Sequence, residues 1–220
     1  MGPRQRQRRF RAKTHIAPII IGSFFGFMLL AGVAFGVGMI GVVDTWLQDL
    51  PDYTDTDLYL SSEPTTILDA DGNKIASFYT QNRTTVSLDQ ISQYVVDGTV
   101  ATEDERYYEH GGFDPVGILR AVAVQLTGGS EGASTITQQL VRNTILSDEQ
   151  FDVTLERKVR EIYLAVKMEE IYSKDEILNM YLNVIYYGHG AYGIEAASNV
   201  YFSKSAKDLT LAEAALLVGL

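Results

Sequence analysis

From Ile16 to Val43 the chain runs for 28 residues without a charged side chain. Beyond it, short apolar stripes alternate with polar breaks. A helix rising about 1.5 Å per residue covers about 42 Å over such a run, enough to cross a hydrocarbon core of about 30 Å with tilt. Secretory signal peptides have a shorter apolar region of about 7–15 residues and a small-residue cleavage site. The pattern therefore predicts a retained transmembrane anchor over residues 15–43. Gly22 with Gly26, and Gly32 with Gly36, have the spacing of a helix-dimer seam. Glycine is common in membrane helices, so the spacing alone does not establish one.

Residues 44–62 are polar and acidic and read as a linker. Thr65 to Leu68 and Lys74 to Tyr79 are β-type runs on either side of Asp71-Gly72, which predicts a hairpin. The period then turns helical. Ser87 with Gln90 forms a capping box that opens a helix through Ile91 and Val95. Asp114 and Pro115 sit as N-cap and first residue of a helix stopped by Gly128-Gly129. Residues 128–133 read as a flexible loop. Thr135 with Gln138 is a further capping box, and Leu155, Val159, Ile162 and Val166 form a helical stripe. Ser173 with Glu176, and Thr210 with Glu213, cap two more helices. The expected fold is mainly α, with one small membrane-proximal β-hairpin and one preceding transmembrane helix.

Charge orients the anchor. Arg4, Arg6, Arg8, Arg9, Arg11 and Lys13 precede it, and no Asp or Glu occurs before Asp44. The positive-inside rule puts residues 1–14 in the cytoplasm and the rest outside. Those six are taken from 18 basic residues, which leaves 12 against 28 acidic ones, a net of −16. So acidic a remainder excludes non-specific grip on nucleic acid. There is no cysteine, consistent with an extracytoplasmic chain that uses no disulfides.

Four clusters are candidates for chemistry. Glu103, Asp104 and Glu105 are adjacent at the predicted end of a helix, where the dipole disfavours negative charge. A locally costly arrangement of that kind often marks function, although charge alone equally describes a solvated acidic patch. Ser134, Thr135, Gln138, Gln139, Arg142 and Asn143 place hydroxyls at a helix start, amides one turn on and then a cation. That order suits an anion, or simply a capped surface helix. Arg157, Lys158 and Glu161 share one helix face, as an ordinary surface ion pair also would. Tyr181 to Asn183, then Tyr186 to Glu195, interleave aromatics with glycines, a sugar-facing loop or tight packing. His110 and His189 have no metal-ligand spacing around them and read as packing or hydrogen-bonding residues.

These clusters, in this order, resemble the five motifs of family 51 glycosyltransferases, the polymerising module of class A (bifunctional) penicillin-binding proteins. Glu103-Asp104 with His110 and Gly112 resembles the first. Ser134 through Asn143 resembles the second, and Arg157-Lys158 with Glu161 the third. Ser173 to Leu178, with Tyr181-Leu182-Asn183 and Tyr192 to Ala197, resembles the fourth. Tyr201 to Lys204, then Leu209 to Leu217, resembles the fifth. The match runs over residues 63–220. Arg142 stands where lysine is commoner in the family, Tyr107 or Tyr108 where phenylalanine is usual, and Ser203 where glycine is usual. The family's domain continues past the position of Leu220. Nothing in the chain resembles a Ser-x-x-Lys nucleophile, so no β-lactam binding is expected of it.

The resemblance implies a lysozyme-like, two-lobed helical domain over residues 63–220, one lobe dipping into membrane lipid. It implies lipid II and the growing glycan strand as substrates, with other cell-wall synthesis proteins as further partners. Glu103 would be the general base and Glu161 the second essential carboxylate, both lining one groove. Arg142, Arg157 and Lys158 would neutralise the departing lipid diphosphate. Ser134, Thr135, Gln138 and Asn143 would hold donor sugar or phosphate, and Asp104 would orient Glu103 or cap backbone. Glu161 would position the cations or hold a divalent ion such as Mg2+ or Mn2+. Two other classes stay open: a membrane-anchored glycan hydrolase, which two carboxylates on such a fold could serve, and an inactive membrane-tethered scaffold.

Overall fold

The structure, a computed structural model, describes residues 3–54, 65–78, 82–129 and 132–220. They fall into two compact units, residues 1–49 and 50–220. In the first, helix α1 (Pro3–Trp46) contains a 27-residue apolar stretch, Ile20–Trp46, of mean hydropathy 2.2 with none of its most apolar window buried. Its length and composition suffice to cross a bilayer.

The second unit begins with the predicted hairpin. Strand β1 (Thr65–Leu68) pairs antiparallel with β2 (Lys74–Phe78), with a register shift between Ile67 and Leu68. Asp69 makes the turn. Its Oδ1 accepts from the N–H groups of Asp71 (2.9 Å) and Asn73 (2.7 Å), and Gly72 takes the left-handed conformation, φ +84°. Tyr79, residues 55–64 of the expected linker and its surroundings, and residues 130–131 of the expected loop lie outside the described residues.

Seven further helices follow among the described residues: α2 (Gln93–Glu103), α3 (Pro115–Leu126), α4 (Ile136–Asn143), α5 (Leu155–Ile171), α6 (Lys174–Val184), α7 (Ile194–Phe202) and α8 (Leu211–Val218). A two-residue parallel ladder joins β3 (Asn82–Arg83) to β4 (Ala191–Tyr192). Helix α4 is the centre. Ile136, Thr137, Gln138, Leu140 and Val141 are all fully buried, packed between α5 and α6. Leu164 and Met168 of α5, Ile177, Leu178 and Leu182 of α6, and Leu217 of α8 complete the core.

Several expected caps are present. Asp114 accepts from Val116 N–H at 3.0 Å ahead of Pro115, and the Ser173–Glu176 and Thr210–Glu213 boxes both form. Three local expectations need correction. Ser87 and Gln90 cap only a 3-10 turn, Leu88–Gln90, and α2 starts afresh at Gln93. The break is tertiary: Ser92 N–H donates to Ala206 O and Ser92 Oγ to Leu209 O, which holds the chain extended there. The Thr135 box is only half made. Thr135 Oγ1 accepts from Gln138 N–H at 3.2 Å, but the Gln138 side chain turns away to Lys158. Finally, the buried face of α5 is Glu161, Leu164, Ala165 and Met168 rather than the apolar stripe. Leu155 is 65% exposed. The helix is turned so that a carboxylate, not an aliphatic side chain, enters the core in its first half.

Candidate active site

Helix α2 ends at Glu103, and Asp104 is its C-cap. Two adjacent carboxylates at a helix C-terminus oppose the dipole. The structure offsets this by burying Asp104 against the start of another helix. Asp104 is 8% exposed, and its Oδ2 accepts from Ile136 N–H of α4 at 3.1 Å. A helix N-terminus favours an anion for the same reason that a C-terminus does not. His110 Nε2 lies 2.8 and 2.9 Å from the two Asp104 oxygens. An ionised carboxylate only accepts, so Nε2 carries the proton. Asp104 is thus spent on the protein, capping backbone behind Glu103, and His110 is the hydrogen-bonding residue its spacing suggested.

Glu103 itself is half-buried. Its Oε2 accepts from Gln139 Nε2 at 2.6 Å, and Gln139 Oε1 accepts from Tyr181 Oη at 3.1 Å. Burial first, and the Glu103 charge second, push the Tyr181 pKa up, so the phenol stays protonated and donates. Glu103 Oε1 has no donor among the described residues. The carboxylate forms part of the wall of a cavity of about 550 Å³ shared with Glu105, Arg106, Arg120, Ser134 and Gln139. It also borders a recess of about 50 Å³ edged by Tyr181, Tyr186 and Tyr187.

The cations stand on α5, whose N-cap Thr154 accepts from Arg157 N–H at 3.1 Å. Glu161, one turn on, is fully buried. Its two oxygens are taken by Arg157 Nη1 and Lys158 Nζ, each at 2.5 Å. Lys158 Nζ also donates to Gln138 Oε1 (2.8 Å) and to Ser134 Oγ (2.9 Å). Lys158 therefore reaches from the buried carboxylate to a residue of the cavity wall. Glu161 lies beneath its two cations and is not among the residues that line the cavity with Glu103. Nor is it an ordinary surface pair. Both Glu161 oxygens are engaged by nitrogen cations, whereas Mg2+ or Mn2+ would need several oxygen ligands grouped around it. Among the described residues no three His, Cys, Asp or Glu side chains are grouped to hold a metal ion.

Thr135 Oγ1 donates to Gly112 O at 2.7 Å as well as capping α4, which ties the first motif's end to the second motif's start. Gly112 has φ +81°, and a Cβ there would meet Ala165 and Val166 backbone at 2.6–2.7 Å. Arg142 and Asn143 lie half-buried at the far end of α4, and their side chains make no hydrogen bond among the described residues. Arg142 is near enough to Tyr181 to oppose its upward shift.

The geometry gives definite partners to two residues that the sequence placed only within clusters, Gln139 and Tyr181. The available signal was the Gln138-Gln139 doublet. Neighbours on a helix point about 100° apart, so two amides in succession, Gln138 buried and Gln139 half-buried, face two different partners. Gln138 serves the cationic triad and Gln139 serves Glu103.

The chain belongs to the transglycosylase family, whose model matches residues 71–220. It is 46% identical over 194 residues to penicillin-binding protein 1A of Escherichia coli (strain K12), covering 87% of this chain and 22% of that protein. It is 47% identical over 156 residues to penicillin-binding protein 1F of Bacillus subtilis (strain 168), covering 70% and 21%. The chain therefore spans about a fifth of the length of these relatives. A 2.6 Å crystal structure of penicillin-binding protein 1A from Haemophilus influenzae aligns over 72% of this chain and 14% of that one, at 25% identity and a TM-score of 0.34.

Proposed function

We propose that this chain polymerises lipid II into peptidoglycan strands. The growing glycan on its lipid diphosphate is the donor, and the 4-hydroxyl of an incoming lipid II is the acceptor. The acceptor oxygen bonds to the donor's C1 while the C1–O bond to the diphosphate breaks, and the hydroxyl proton passes to Glu103. Arg157 and Lys158, with Arg142, neutralise the charge that develops on the leaving diphosphate. Ser134 and Asn143 hold donor sugar or phosphate, Gln138 holds Lys158 in place, and Thr135 and Asp104 hold the backbone that carries them. Glu161 positions the two cations.

The observation that carries this reading is the anchorage of Glu103. One oxygen is fixed by Gln139 on the cavity wall, and the same wall leads through Ser134 to Lys158. Family membership supports it. A hydrolase that uses a pair of carboxylates needs the second one open to water or sugar, whereas Glu161 is closed by cations. On this reading residues 15–43 span the membrane, 1–14 lie in the cytoplasm, 44–62 form a linker, and 63–220 work outside against membrane lipid and other cell-wall synthesis proteins. The test is Glu103→Gln, which keeps shape and hydrogen bonding but cannot take the proton. It is expected to leave lipid II binding nearly intact and to slow glycan formation from labelled lipid II by about 10²–10⁴-fold, with folding checked by circular dichroism. Polymerisation at the parent rate would remove Glu103 as the base. Release of sugar from finished glycan, without growth from lipid II, would favour the hydrolase.

A further inference from the structure

The loop that follows Glu103 is held from a second side by a polar chain that the proposed chemistry does not use. Tyr107, fully buried, donates from Oη to the backbone O of Lys174 at 2.7 Å. Lys174 Nζ lies 4.3 Å from the centre of the Tyr107 ring and pairs with both oxygens of Glu169, at 2.9 and 2.7 Å. Glu169 Oε1 in turn accepts from Thr137 Oγ1 of α4 at 2.6 Å. The chain thus closes a ring. It starts from the loop after α2, passes through the α5–α6 turn, and returns to α4 one residue beyond Ile136, whose N–H already holds Asp104. The Glu169 and Lys174 side chains are only 8% and 21% exposed.

A mostly buried ion pair is a poor device for stability, because desolvation cancels most of the attraction and an apolar pair of similar size often serves as well. What it supplies here is register. A carboxylate bonded to a hydroxyl and an ammonium at once, with the ammonium stacked on a ring, admits one arrangement of three segments. An aliphatic contact would tolerate sliding. We propose that Glu169 and Lys174 are positioning residues for the glycosyl transfer, acting through Tyr107 and Thr137 to fix the Glu103 loop against α4. The proposal rests on the reading of Glu103 as the base.

The test uses the full chain with Glu169→Gln, Lys174→Met and the double variant Glu169→Leu/Lys174→Met. Three readouts are taken: melting temperature, kcat and KM for lipid II, and hydrogen exchange of the peptide spanning residues 103–110. The single variants are expected to lower kcat about tenfold with KM little changed, and to speed exchange in that peptide. The double variant is expected to regain melting temperature without regaining kcat. A double variant with parent kcat and parent exchange would overturn the proposal and leave the pair a packing device. If the parent itself does not turn over lipid II, the proposed function fails. Exchange then still decides this proposal: faster exchange at 103–110 in otherwise folded variants upholds the ring, and unchanged exchange sinks it.

Discussion

Glu161 is a fully buried carboxylate with two cations against it. Removing one member of such a group leaves uncompensated charge, whereas removing all members does not. Glu161→Leu is therefore expected to cost about 3 kcal/mol, the low end of the range for broken buried pairs, because Lys158 keeps 32% of its side chain open to water. Thermal melts should place Arg157→Met/Lys158→Met/Glu161→Leu above Glu161→Leu alone. The reverse order would mean that the carboxylate is not balanced by these two cations. Asp104 poses a related question with hydrogen bonds. Asp104→Ala orphans Ile136 N–H and the His110 ring, and an unsatisfied buried donor costs about 1–3 kcal/mol. The melting temperature should fall clearly, and a fall no larger than that of an exposed control, Glu105→Ala, would contradict the capping role.

Helix α8 is held by a carboxylate under unusual restraint. Glu213 accepts from Lys204 Nζ (2.9 Å) and from the Thr210 N–H (2.8 Å) and hydroxyl (2.7 Å). These bonds, with Lys204 the largest influence, hold the Glu213 carboxyl down at about 2. With the folded value depressed, acid protonates the unfolded chain first. The cap's contribution is complete above the unfolded value of about 4.3 and is lost as pH falls towards about 2. The melting-temperature gap between parent and Glu213→Gln should be widest at neutral pH and narrow steadily below pH 4, and a constant gap would sink the assignment. The Thr210–Glu213 box was legible from its letters, as were the hairpin, the Asp114-Pro115 start and the mainly helical class, because each depends on residues close by in the chain. The face of α5 was not. Its aliphatic stripe at 155, 159, 162 and 166 is regular, and only the positions of Arg157, Lys158 and Gln138 in space explain why Glu161 turns inward instead. The break at Ser92 was hidden for the same reason, since its partners, Ala206 and Leu209, are more than a hundred residues away. Motif order singled out Glu103 and the cations as candidates. It did not disclose that Gln139 anchors Glu103, or that Tyr181 anchors Gln139.

At the scale of the whole molecule the proposed topology makes a plain prediction. A reporter fused after residue 60 should be active only in the extracytoplasmic compartment, because six basic residues precede the apolar run and none of the acidic ones does. Cytoplasmic activity would invert the topology. The same uneven charge bears on the triad on α5. Two cations around one carboxylate leave a single net positive charge, set in a remainder of the chain that carries −16. Exposed charges further off than a Debye length, about 8 Å at physiological ionic strength, are largely screened, so an anion at that spot would answer to the two cations more than to the acidic remainder. On the proposed function, a diphosphate carried along the bilayer by its own lipid tail reaches the spot by a search in two dimensions rather than three.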